Sequence, residues 1–138
     1  ACAGLERLEM AHLITETLSP PAWLPAATQG TIGIQSKSGD DAVMELIAPL
    51  ADVNSSVCTL AERTVATALQ GSCQVPLAVF AVLDGDAIRI RAMIGMPDGT
   101  GILRADRIGP PEDGEAMAAS LAEELLAQGA DRIVAELA

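Results

Sequence analysis

The sequence predicts an α+β fold: a three-stranded antiparallel sheet with one face covered by helices, preceded by two short pieces that close no core of their own. Three observations predict it. From residue 54 onward, apolar residues recur first at helical spacing, then in strand alternation, then at helical spacing again. The strand-like runs are joined by tight turns, Asp84-Gly85-Asp86 and Pro97-Asp98-Gly99-Thr100, and short connections make neighbouring strands antiparallel. Before residue 54 the apolar runs are short and broken by proline, which cannot continue a helix or donate to a sheet.

Taken in order, residues 3–17 carry a helical pattern with Leu5, Leu8 and His12 near one face. His12 is expected to pack half-buried. Ser19-Pro20-Pro21 ends that helix. Residues 18–30, with three prolines, read as an extended crossover that packs through Trp23 and Leu24. Thr31–Gln35 reads as a short strand, and Ser38-Gly39-Asp40-Asp41 as a turn capping a helix over 41–48, with Val43, Leu46 and Ile47 inward. Neither has enough apolar surface for a core, so both need a partner sheet. Asn54 or Ser55 is placed to cap a long helix running to about residue 70, with Val57, Leu60, Ala61, Thr64, Val65, Ala68 and Leu69 on its pattern and Gly71 as its C-terminal cap. Leu77–Leu83, Ala87–Gly95 and Gly101–Arg107 read as strands, the second with Ile88, Ile90, Ala92 and Ile94 on one face. A helix over 113–128 buries Met117, Leu121 and Leu125 and stops at Gly129. A last one carries Ile133, Val134 and Leu137.

Composition narrows the function. The formal charge is −11, with one lysine and seven arginines, which repels phosphate backbones and argues against a nucleic-acid partner. Trp23 and Phe80 are the only aromatic residues, so the core must be aliphatic. Cys2, Cys58 and Cys73 form no CxxC pair, which points to neither a zinc site nor a disulfide framework and fits a cytoplasmic setting. No apolar run approaches the ~20 residues of a membrane-spanning helix, and the start of the chain lacks a signal-peptide pattern. Metal ligands are not indicated. With one histidine, a Cys-His or Ser-His-Asp arrangement would have to use His12.

Cys73 is the chemical handle. It lies on a short loop between a helix end and the apolar strand that begins after Pro76. A helix C-terminus carries partial negative charge and disfavours a thiolate, which argues against a fast-turnover nucleophile. It suits a thiol that is alkylated once and then keeps its adduct.

The residues around it resemble the porphobilinogen deaminase (hydroxymethylbilane synthase) family. Leu60-Ala61-Glu62-Arg63 and Leu69-Gln70-Gly71-Ser72-Cys73-Gln74-Val75-Pro76 are similar to the family's T-A-E-R and L-x-G-G-C-x-V-P. Ala3-Gly4-Leu5-Glu6-Arg7-Leu8, Leu24-Pro25-Ala26-Ala27-Thr28-Gln29-Gly30, Pro97-Asp98-Gly99 and Ser120-Leu121-Ala122-Glu123-Glu124-Leu125-Leu126 agree in order and spacing. The resemblance implies a transferase of tetrapyrrole (heme) biosynthesis. Such an enzyme joins four porphobilinogens head to tail, with loss of ammonia, to give hydroxymethylbilane, and the chain grows on a dipyrromethane cofactor. By motif position Cys73 carries that cofactor through a thioether. Arg7 matches an arginine that binds cofactor or substrate carboxylates, and Gln29 lies in the crossover that lines the cleft. Glu62 and Arg63 are expected to hold the cysteine loop.

The resemblance also implies an organisation. Residues 1–30 correspond to the end of a second domain and its crossover, 31–52 to a strand-helix return to a first domain, and 53–138 to a complete C-terminal cofactor-anchoring domain. The two short pieces would then be fragments of two α/β domains. The family's proton-handling aspartate and most of its carboxylate-binding arginines match nothing in this chain, so no catalytic residue is assigned here and the chain alone is expected to be inactive. Its partners would be porphobilinogen and the remaining N-terminal domains, supplied in cis or in trans. Two other readings are a non-catalytic α+β binding module, with residues 1–52 as a docking arm, and one half of a split enzyme. Thr28 and Ser72 stand where the family usually has glycine, and each is strained if its φ is positive.

Overall fold

The sheet forms as its alternation dictates. The computed structural model describes residues 2–70 and 75–137. Strands β1 (Leu77–Asp84), β2 (Ala87–Ile94) and β3 (Leu103–Gly109) lie in the order β1-β2-β3, antiparallel throughout. Ile88, Ile90, Ala92 and Ile94 are buried on one face of β2. The register sets Val79 and Ala105 on either side of Ala92, and Ala81 beside Ile90, so the three strands present one continuous aliphatic face. The Asp84–Ala87 connection is a two-residue turn with Gly85 at φ 60°, a left-handed position that glycine occupies without cost.

Two helices cover that face. Helix α3 (Val53–Ala68) brings Ala61 and Val65, with Leu69 just beyond its end; α4 (Gly114–Ala127) brings Ala118, Leu121, Ala122 and Leu125. Helix α5 (Ala130–Leu137) adds Ala130 and Ile133. The core is aliphatic, as the near-absence of aromatic residues requires. The opposite face of the sheet is open and carries Arg89, Arg91 and Arg104 around Asp106. Asp106 pairs with Arg89 at 2.9 Å and with Arg91 at 3.3 Å.

The first third departs from expectation. The helix expected over 3–17 is only α1 (Cys2–Arg7), followed by a single 3-10 turn at Ala11–Leu13. The Met10 N–H donates to the Leu5 carbonyl and the Glu9 N–H to the Glu6 carbonyl, with Glu9 at φ 59°. This reversal ends a helix without the usual glycine. His12, expected half-buried, is exposed in that 3-10 turn. Thr31–Gln35 is not a strand: no strand among the described residues pairs with it, and Ile32 is 88% exposed. Helix α2 (Asp41–Ile47) forms under an Asp40 cap, but Val43 and Leu46 face solvent because no sheet among the described residues lies beneath them. Two caps move as well. Asp52, not Asn54 or Ser55, caps α3, accepting the Ser55 N–H at 2.7 Å. At the other end Leu69 is the cap, and the left-handed residue is Gln70, φ 51°, one before Gly71, which lies outside the described residues. Met117, expected in the core, is half-buried at its edge.

Candidate functional site

Helix α3 positions an acid where its apolar stripe would otherwise continue. Cys58, Glu62, Val65 and Leu69 recur at helical spacing toward the sheet; Cys58 is half-buried, and Glu62 is buried with Val65 and Leu69. A buried carboxylate needs donors, and two backbone amides supply them. Oε1 accepts the Ala81 N–H of β1 at 2.7 Å; Oε2 accepts the Thr28 N–H of the crossover at 2.5 Å. Burial pushes the Glu62 pKa up, and the two amide donors only partly oppose it. Next along β1, the Val79 N–H donates to the Pro25 carbonyl at 3.1 Å. The outer edge of β1 is therefore satisfied by a carbonyl and a carboxylate rather than by a fourth strand.

The crossover forms two successive tight turns. The Gln29 N–H donates to the Ala26 carbonyl and the Thr31 N–H to the Thr28 carbonyl, with Gly30 at φ 86°. Thr28 sits at φ 59°. For a β-branched residue this is a strained conformation, worth about 1–3 kcal/mol, that persists only where the surroundings enforce it. The departure from glycine noted in the sequence is thus costly at Thr28. Ser72, the other departure, lies outside the described residues.

Two clefts flank this turn, and Pro25 and Gln29 border both. One, of about 440 Å³, lies between the crossover, α3 and β1, with Thr31, Cys58, Glu62 and Leu83 in its wall. The other, of about 910 Å³, opens toward the N-terminal segment, between Leu5, Leu13, Leu18 and Trp23, with Glu16 as its charged residue. Burial, and then the Glu62 charge, push the Cys58 thiol up, so it stays protonated at neutral pH and is a poor nucleophile.

The structure places the expected site residues unequally. Gln29 borders both clefts. Arg7 is exposed on the last turn of α1 and borders neither cleft, so the two are not brought together. Cys73 lies outside the described residues, between buried Leu69 and buried Val75. Glu62 holds the crossover against β1; its expected hold on the cysteine loop falls outside the described residues. Sequence reasoning missed that bond to Thr28. The available signal was an acidic residue inside the apolar stripe of α3.

The family model described as the porphobilinogen deaminase C-terminal domain matches residues 56–127, about half of the chain. The chain belongs to the porphobilinogen deaminase family. A second model of that family, described as its dipyrromethane cofactor-binding domain, matches residues 1–45. Porphobilinogen deaminases of Bordetella parapertussis and Bordetella bronchiseptica are each 49% identical to it over 137 residues. Those matches cover 99% of this chain and 44% of each relative, so the chain spans less than half the length of the curated relatives it matches. The C-terminal match takes in most of α3, the sheet, α4 and the stretch bearing Cys73; the cofactor-binding match takes in Arg7 and Gln29.

Proposed function

We propose that the whole protein is a hydroxymethylbilane synthase, a cytoplasmic transferase that condenses four porphobilinogens with release of ammonia. This chain supplies the cofactor anchor and one wall of the cleft. The observation that carries this reading is the pair of family matches in one chain, meeting at the turn held by Glu62.

The residues present suit the rings of a dipyrrole, while its carboxylates need cations from outside the larger cleft, whose charged residue is Glu16. The larger cleft lies within the range of small-molecule sites, about 300–1,000 Å³. Its Leu5, Leu13, Leu18 and Trp23 walls suit flat rings, and the Gln29 amide stands at its border to donate to a carboxylate or accept from a ring N–H. When bound, dipyrromethane supplies the primer to which new pyrrole units are joined. Cys73 holds it through a thioether, and the sulfur, once alkylated, needs no base. The Arg7 guanidinium, exposed at the end of α1, is the cation this chain offers to acetate or propionate carboxylates. Residues 1–30 continue from a second domain, 31–52 return to a first, and 53–138 form the C-terminal domain. The exposed Ile32, Leu46 and Leu50 then rest on the remaining domains.

The test is the mass of the purified chain and of its Cys73 peptide after co-expression with the remaining two domains. An adduct of two pyrrole units on Cys73 supports the reading, and a free thiol there overturns it. The 138-residue chain alone is expected to make no hydroxymethylbilane.

A further inference from the structure

We propose that Glu62 is a positioning residue: its carboxylate holds Thr28 in the left-handed conformation and thereby sets where Gln29 stands between the two clefts. The functional meaning of that placement rests on the reading of Gln29 as cofactor-facing; the mechanical claim does not.

Four observations carry it. Thr28 is the one residue of the crossover turn that a side chain opposes sterically at its φ of 59°, and its own N–H points into Glu62. Satisfying β1 does not by itself require an acid, because at Val79 the Pro25 carbonyl performs the same task. The two carboxylate oxygens divide their work, Oε1 to Ala81 and Oε2 to Thr28, so a single buried group ties the turn to the sheet. Finally, the elements that face Glu62 bring no charge to compete for it. Residues 18–30 and 77–83 contain no titratable side chain, and on α3 its near neighbour is the protonated Cys58. Among the described residues the acid is held by two backbone amides, and Gln29 follows directly after the residue it holds.

Glutamine is the informative replacement. An ionised carboxylate only accepts, and so takes both N–H groups; an amide must set its NH₂ against one of them. Glu62→Gln is made in the 138-residue chain, and amide exchange is followed at Gln29 and Thr31, whose N–H groups report the two turns. Exchange there is expected to rise at least tenfold while the β2 amides hold. Adding Thr28→Gly to Glu62→Gln is expected to restore most of the protection, because glycine takes this conformation unaided. Unchanged protection in Glu62→Gln overturns the proposal. So does failure of Thr28→Gly to restore it, which would leave Glu62 as a group that merely satisfies β1. Should Glu62→Gln fail to fold, the unsubstituted chain decides. Its Thr28 amide is expected to exchange as slowly as that of Ala81, and exchange at an exposed-loop rate overturns the proposal. None of these readouts needs cofactor or substrate, so they stand or fall separately from the mass of the Cys73 peptide.

Discussion

Residues 2–52 and residues 53–137 have comparable apolar content but opposite fates. Every buried aliphatic side chain among the described residues lies between Ala61 and Ile133. In the first region Leu8, Leu18, Ile32 and Leu46 are all more than half exposed. Its link to the core is narrow: the half-buried Ala27, the Pro25 carbonyl on Val79 and the Thr28 amide on Glu62. The difference teaches that hydrophobicity does not make a core. An apolar residue is buried only where its own chain supplies the opposite wall, and residues 53–137 supply both sheet and helices.

The largest expected effect separates the regions by stability. Ile90→Ala or Leu121→Ala, each at a fully buried position, is expected to cost about 2–5 kcal/mol in denaturant unfolding, whereas Ile32→Ser or Leu46→Ser changes stability by no more than ~0.5 kcal/mol. Equal losses in both pairs would erase the distinction. Amide exchange sharpens it: opening free energies in 2–24 and 32–51 are expected to fall near zero, against values near the global stability in β2 and α4. Uniform protection would contradict the comparison.

Smaller effects gather where the regions meet. Thr28→Gly removes about 1–3 kcal/mol of strain and adds about 0.5–1 kcal/mol of chain entropy cost, so a modest rise in melting temperature is expected. A fall would show that the threonine side chain makes a compensating contact. The pH profile carries the mark of Glu62. Its folded pKa lies above the ordinary value of 4.5, so the folded chain holds that proton more tightly than the unfolded one. The resulting stability is complete below 4.5 and is lost as pH rises through the folded value. Asp52 and Asp98 act in the opposite sense. Hydrogen bonds to Ser55 and Thr100 lower their values below 3.8, and what they contribute is present above 3.8 and is lost as pH falls through the lowered values. Glu62→Gln is therefore expected to flatten the decline above pH 4.5, and Asp52→Ala, the smallest effect of all, to weaken the loss at the acid end. Unfolding midpoints across that range check both.

The legibility of the chain follows the same division. The three strands, the inward row of β2 and the helices over them could be read from the sequence because period, turn chemistry and burial agree there. The error at residues 3–17 came from reading periodicity as sufficient. No residue of that segment reaches the core, and the chain reverses at Glu9 with no glycine to announce it. Thr31–Gln35 had the alternation of a strand but no partner. The α3 cap was misplaced by two or three residues because Asp52, Asn54 and Ser55 are all capping types, and only the helix start distinguishes them. At the site, Gln29 and the Cys73 stretch were visible as motifs. The bond from Glu62 to Thr28 was not, because it joins residues 34 positions apart and depends on the path of the crossover.

The sealed margin of β1 has a consequence for how the sheet meets other chains. An unoccupied strand margin is a template on which a second chain can add a strand, and that is the usual first step toward fibrils or exchanged dimers. Here Pro25 and Glu62 already occupy the amides of Val79 and Ala81, so growth from that side is blocked. Among the described residues no strand pairs with the opposite margin, β3, and along it the exposed Arg104, Asp106 and Ile108 alternate with residues facing the helices. Formal charges on an outer strand discourage a neutral strand from docking beside it. A three-stranded sheet thus stays three-stranded by two separate means, occupation on one side and charge on the other.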